Sequence, residues 1–325
     1  MRYILASVLL VSFSASAQIT PGKLSFALPD HPGRLALDQG NFKITELSAK
    51  SNNGELGIRA QDGDLHFLGF FFLWPEKPHL TSEACRDEML SSEGGVSLAA
   101  VKDRLSMKSS SGADIALALI VPASGKHSAI RAFVADDTLC GDLLFSVEQP
   151  VTKQMLPMDK VKTILSTLQF DPKAKPTFRE AFAYATVQWD KQQLKGAATA
   201  YKAALALVDS SDDPVKWRRV TTDQLSMALG MSGDLQGSRA VNEAAIQRDP
   251  EYPLYYYNLA CADAESNDAA AARKHLTQAF ERKSHVLPGE TLPDPSKDDS
   301  FLKLKSNQEF WSFVQTLHET PIGNP

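Results

Sequence analysis

The chain has 325 residues, 43% of them hydrophobic and 22% charged, with a net charge of −5. That length is ample for two domains, and the composition is that of a globular protein, not of a disordered or collagen-like chain. The mild acidity is shared by both halves, which excludes a basic nucleic-acid-binding domain and an acidic tail.

The N-terminus has the three zones of a secretory signal in order. Arg2 supplies a positive start, Tyr3 to Phe13 is an apolar run, and Ala15-Ser16-Ala17 offers small residues at a cleavage site. A signal peptide over 1–17 is expected, with the mature chain starting near Gln18; a buried N-terminal helix or strand is the alternative. No cysteine lies near the cleavage point, so no lipid anchor is expected. No later run reaches the ~18 apolar residues of a membrane span. The expected protein is exported, periplasmic or secreted, with no membrane insertion after cleavage.

From Lys23 to Phe170 the pattern reads as strands with a few helices. Phe42–Lys50, Glu55–Ala60 and Leu65–Trp74 are joined by Asn52-Asn53-Gly54 and by Asp62-Gly63. These turn residues tolerate positive φ, so the three strands form an antiparallel meander. The third, running through Phe67, Phe70, Phe71 and Phe72, is apolar on both faces, which predicts a central strand covered on both sides; a Phe-rich ligand pocket is the alternative. Ser82 to Ser91, after Thr81 and with Glu83 and Glu93 near its ends, reads as a short helix. Strands follow at Arg104–Lys108, Asp114–Val121, Ala129–Ala135 and Cys140–Val147, with Asp136-Asp137 as a tight turn. Lys153–Leu168 is an amphipathic helix by the spacing of Met155, Met158, Val161, Ile164, Leu165 and Leu168. The order of these elements, and the helix containing Ile164-Leu165-Ser166-Thr167-Leu168, resemble the PsbP/Mog1-like domains in topology, and carry no functional residue across.

The export signal gives the three cysteines weight. A bridge between Cys85 and Cys140 would close a loop of about 55 residues and contribute up to ~4 kcal/mol; two separate buried thiols are the alternative. Cys261 is expected to be an inert core thiol. Asp171-Pro172-Lys173-Ala174-Lys175-Pro176 reads as a linker, because its prolines oppose both helix and sheet.

The rest is helical and repeats itself. Leu225, Ala228, Gly233, Asp234, Ala245 and Ile246 recur 34 residues on as Leu259, Ala262, Asn267, Asp268, Ala279 and Phe280. Ser226, Ser238, Asn242 and Pro250 in one copy, and Ala260, Ala272 and Leu276 in the other, fill out the pattern. Tyr184, Ala185, Ala197, Tyr201 and Ala204 form a weaker first copy. This resembles the tetratricopeptide repeat family, whose helical hairpins need small residues where the first helix of each pair meets the second. The expected fold is therefore α+β with two domains: an antiparallel β-rich α+β domain at 18–170, a linker at 171–176 and an all-α hairpin array at 177–325. Asn242 and Asp263 stand where the family has bulky or aromatic residues, so a softer interface is expected there. Phe301, Leu304, Phe310, Phe313 and Leu317 supply the apolar face of a terminal cap.

The resemblance implies binding of a protein or peptide along the first helix of each pair. In the last copy those positions include Leu254, Tyr257, Cys261 and Glu265, and Tyr252, Tyr255, Tyr256 and Tyr257 cluster beside them. Tyrosines give rigid amphipathic contact area, although they could equally pack within the hairpin. Asn258 stands where clamp-type members hold a peptide carboxylate, but Ala183 and Gln224 at the matching positions do not complete the clamp. Lys216 and Arg219, with Arg218 around Trp217, form a small basic patch or simply a solvated helix start.

The chain has no Gly-x-Ser-x-Gly elbow, His-Glu-x-x-His helix, Walker A loop or dinucleotide fingerprint, and its seven histidines are scattered. Asp62, Asp64, Asp136 and Asp137 read as turn residues, not catalytic pairs. The expectation is a non-enzymatic adaptor without cofactor, metal or nucleic acid. The alternative is a sheet domain that binds a small molecule or envelope component, with the repeats serving for dimerisation or tethering.

Overall fold

The structure, a computed structural model, describes residues 22–29, 31–50, 55–92, 101–120, 127–148 and 156–319. The expected signal peptide and its cleavage point near Ala17, the Asn52-Asn53-Gly54 turn, Glu93 and the helix start at Lys153–Met155 lie outside those residues. The chain divides between Gly196 and Ala197 into two compact units.

The first unit contains strands β1 (Lys23–Ala27), β2 (Arg34–Asp38), β3 (Lys43–Lys50), β4 (Glu55–Asp62), β5 (Leu65–Leu73), β6 (Val101–Lys108), β7 (Asp114–Ile120), β8 (His127–Asp136), β9 (Leu139–Glu148) and β10 (Gln169–Asp171). Its helices are α1 (Ser82–Ser92), α2 (Met158–Ser166) and α3 (Phe178–Asp190). The seven strands expected from the sequence form one antiparallel sheet in the order β3-β4-β5-β9-β8-β7-β6. β5 lies between β4 and β9, and Gly63 and Asp137 take the positive φ their turns demand, 58° and 53°. A second sheet, in the order β1-β2-β10, was not anticipated by the strand pattern.

Strand alternation gives the large sheet two different faces. Phe67, Phe71, Leu143 and Phe145 are buried on the face that meets the small sheet. Phe42, Phe67 and Phe145 pack there with ring centroids 5.1–6.4 Å apart. Gly69 keeps this layer thin, since a Cβ at that position would stand 2.6 Å from the Phe26 ring and 2.8 Å from the Phe67 ring. Gly69→Ala is therefore expected to cost about 1–3 kcal/mol, read as a shift in the denaturation midpoint of the full chain. An unchanged midpoint would show that the two rings can yield.

On the opposite face α1 covers β7, β8 and β9. Cys85 of α1 and Cys140 of β9 form a disulfide, as expected, with both residues fully buried. Phe72, Phe133 and Ala116 surround it, and Phe70 and Trp74 pack on the rim. These aromatics fill space beneath α1, which is the core role the sequence favoured over a pocket. Beside them lies a buried ion pair, Arg131–Asp142, with the Arg131 guanidinium 5.3 Å from the Phe133 ring centroid.

The end of this unit differs from the sequence reading. Asp171, expected in a linker, is the last residue of β10 and pairs with Arg34. The next residues are tied down as well, because Ala174 and Lys175 carbonyls accept from Gly33 and Arg34. α3 packs on β3 and belongs with the sheets. Its capping box, Thr177 with Glu180, is completed by Arg34 of β2, which donates to both Glu180 oxygens at 2.7 and 2.8 Å. Tyr184, a repeat-pattern residue, donates its hydroxyl to the Glu55 carbonyl on β4.

In the second unit α4 (Leu194–Leu207) is followed by two hairpins, α5 (Pro214–Met231) with α6 (Leu235–Arg248) and α7 (Pro253–Glu265) with α8 (Ala269–Glu281), and by α9 (Gln308–Glu319). Matching signals build both hairpins. Asp234 and Asp268 cap α6 and α8, and Gly233 and Asn267 make the left-handed turns at φ 93° and 61°. Ala228, Ala260, Ala272 and Ala279 are buried between helices, as the close approach requires.

The two positions expected to soften the stack carry side-chain bonds to neighbouring helices, although the buried Asn242 Oδ1 has no hydrogen-bond partner. Asn242 is fully buried and donates to the Ser226 hydroxyl and the Ser238 carbonyl, while Ser226 and Ser238 bond each other at 2.9 Å. Asp263 is 1% exposed; its carboxylate pairs with Arg239 of α6 and lies 2.6 Å from Nδ1 of His275 on α8. A short acid thus ties three consecutive helices where an aromatic ring would only fill space. The expected cap is present. Phe301 and Leu304, on a 3-10 turn at Asp299–Leu304 that packs on α7, are buried in one core with Phe310 and Val314 of α9, which packs on α8.

Candidate functional site

The candidate surface is built from α5 and α7, the first helices of the two hairpins, which pack on each other. Asn258 of α7 donates to Asp223 of α5 at 2.8 Å. Arg219 of α5 sits 4.8 Å over the Tyr252 ring and holds Asp249 through two hydrogen bonds of 2.7 and 3.0 Å. The proposed basic patch is thereby consumed in part. Arg218 pairs with Asp209 and Arg219 with Asp249, which leaves Lys216 exposed over the Trp217 ring.

The tyrosines are not open contact area. Tyr252, Tyr255 and Tyr257 are between 0 and 2% exposed, and Tyr256 is 5% exposed. Tyr256 does pack within its hairpin, donating to the Pro250 carbonyl beneath the Arg282 guanidinium. Tyr255 packs edge-on to Tyr252 at 4.9 Å, and Tyr252 and Tyr257 are met by a different partner, the chain's own segment between α8 and α9.

That segment follows α7 from its start to its end. The His285 carbonyl accepts from Arg219. Glu290 accepts the Tyr252 hydroxyl on both oxygens, at 3.0 and 3.1 Å, and also the Leu287 amide. Further along, Asp298 accepts the Tyr257 hydroxyl at 3.0 Å and the Cys261 thiol. Phe301 then stands edge-on to Tyr257, and Lys303 pairs with Glu265 at the end of α7. Tyr257, Cys261 and Glu265, three positions the repeat resemblance assigns to the binding face, are the ones the segment contacts. The sequence reading of this face did not foresee that the chain's own segment lies on it.

Burial governs the electrostatics here. It pushes the Tyr252 and Tyr257 hydroxyls up, reinforced by the neighbouring acids, so both remain hydrogen-bond donors. It pushes the Cys261 thiol well up, with Asp298 adding to the effect, which fits an inert thiol. Asp223 is the unusual member. Burial raises its carboxyl to about 7 against the opposing Asn258 bond, and the charge of Glu290 adds to the rise. Among the described residues no group of three or more His, Cys, Asp or Glu is arranged to hold a metal ion, and no helix is long and apolar enough to cross a membrane.

No family model matches the chain, so the expected PsbP/Mog1-like topology has no matching family, and no curated protein matches it in sequence. Among solved structures it is similar to PcrH from Pseudomonas aeruginosa, at 11% identity and a TM-score of 0.30 over 43% of this chain and 91% of that one. It is similar to the Sgt2 TPR domain from Aspergillus fumigatus, at 15% identity and a TM-score of 0.32 over 46% and 87%. A multi-domain immunophilin from Arabidopsis thaliana gives 12% identity and a TM-score of 0.26 over 78% and 95%. Scores this low leave the description of the second unit to its own helices, turns and caps.

Proposed function

We propose that the second unit is a non-enzymatic scaffold for a protein or peptide partner in an exported protein. One observation carries the reading: the α5–α7 face already holds a stretch of polypeptide with no α-helix or strand of its own through side-chain bonds, namely the segment from His285 to Lys303. A face that seats one such segment has the donors and the shape to seat another. The buried disulfide supports an oxidising compartment, and the leader at Arg2 to Ala17 supports export.

Crosslinking in intact cells tests the reading. A photoreactive residue in place of Lys216, exposed one turn before Arg219 on α5, should join the full-length protein to a discrete partner. Crosslinks obtained only from positions on the sheet unit would overturn it. N-terminal sequencing of the exported protein should begin near Gln18, and an intact leader would remove the export part.

A further inference from the structure

We propose that residues 287–298 are an exchangeable self-ligand, and that the α5–α7 face accepts in their place an extended acidic peptide with two carboxylates at the spacing of Glu290 and Asp298. The proposal rests on the scaffold reading and adds the ligand's chemistry and the state of the free protein. Its basis is the way the segment is attached. Leu287 and Pro295 are its buried residues and Leu292 packs half-buried against the same core, while Pro288, Gly289, Thr291, Ser296 and Lys297 are exposed. Two carboxylates attach it to α7, Glu290 on Tyr252 and Asp298 on Tyr257 and Cys261. A few apolar anchors and two acids on a segment with no α-helix or strand of its own are contacts a bound peptide would make in the same place.

The face also states what can replace the segment. Tyr252 and Tyr257 are buried donors, and each loses its acceptor when the segment leaves. A neutral apolar peptide would leave both hydroxyls unsatisfied, whereas a peptide with carboxylates at the same two points restores both bonds. Nothing else in the unit has to move. Past the segment, Phe301 and Leu304 stay packed on the later part of α7 and α9 stays on α8, and before it the His285 carbonyl is held by Arg219. The segment can therefore bulge out between two fixed points. Because it is tethered at both ends, its effective concentration is high and an outside peptide competes at a disadvantage.

The test uses the full-length chain and a labelled synthetic peptide of residues 286–299, followed by fluorescence anisotropy. Glu290→Gln with Asp298→Asn weakens the resident segment, so this variant should bind the peptide at least roughly tenfold more tightly than the wild type. The same peptide carrying both substitutions should bind the variant roughly tenfold more weakly than the acidic one. Equal affinity of wild type and variant, or of acidic and neutral peptides, would overturn the proposal. Should the double variant not fold, hydrogen exchange on the wild type decides. Excess acidic peptide should speed exchange of amides 287–298, and no change would count against exchange. A Lys216 crosslink to a partner, combined with failure of both peptide measurements, would sink this inference and leave the scaffold reading standing.

Discussion

Replacing Cys85 and Cys140 together by alanine is expected to lower stability by about 4 kcal/mol, the figure for releasing a closed loop of this length. The bridge spans 55 residues and joins α1 to β9 across the cluster of Phe72 and Phe133. Without it, the unfolded chain between α1 and β9 regains its conformational freedom. Folded packing at Ala116 and Phe133 loses comparatively little, since alanine still fills part of each site. Denaturant titration of the oxidised wild type against the double variant measures the difference. A loss below about 1 kcal/mol would mean that the chain-entropy account does not hold for this fold.

Asp223 supplies the second large effect, and its sign follows from linkage. The carboxyl titrates near 7 when folded and near 3.9 when unfolded. Between those values the folded chain keeps a proton that the unfolded chain releases. The stability associated with this site is complete below about pH 4 and is lost as pH rises to 7 and beyond, by up to roughly 4 kcal/mol in total. The groups facing the carboxyl are Asn258, Glu290, Tyr252, Tyr255 and Cys261. Of these, Glu290 is the acid whose charge raises it. Asp223→Asn should flatten the dependence, so that the variant melts above the wild type at pH 8 while the gap closes toward pH 5. Parallel melting curves across that range would contradict the assignment.

Much of the fold was legible because local signals agreed with one another. Apolar runs and turn dipeptides marked the strands of the large sheet, and Asp234 and Asp268 with left-handed Gly233 and Asn267 marked both strong hairpins. β1, β2 and β10 escaped because they are three to five residues long and are joined through Pro32-Gly33 and distant pairing, with no short turn between alternating runs. The face of α7 was harder. Leu254 to Ala264 is apolar or aromatic nearly all the way round, so periodicity could not separate residues facing α8 from residues facing outward. Glu290 and Asp298 sit among prolines and serines and read as solvated loop. Only the fold-back along α7 turns them into acceptors for Tyr252 and Tyr257, and that long-range event leaves no local trace. Asn242 and Asp263 make the same point within the hairpins. Each broke the family pattern, and each had partners supplied by other helices.

The Arg34–Glu180 pair has a consequence for how this chain can be taken apart. The prolines at 172 and 176 look like a natural seam, but a cut there would leave Glu180, 4% exposed, without the guanidinium that neutralises it. It would also strip α3 from the strand it packs on. The transferable module begins later, inside the first turn of α4 after Gly196. A graft of the helical half onto another protein, by a protein engineer or by recombination between genes, keeps the Arg34–Glu180 pair intact only if α3 is left behind with the sheets.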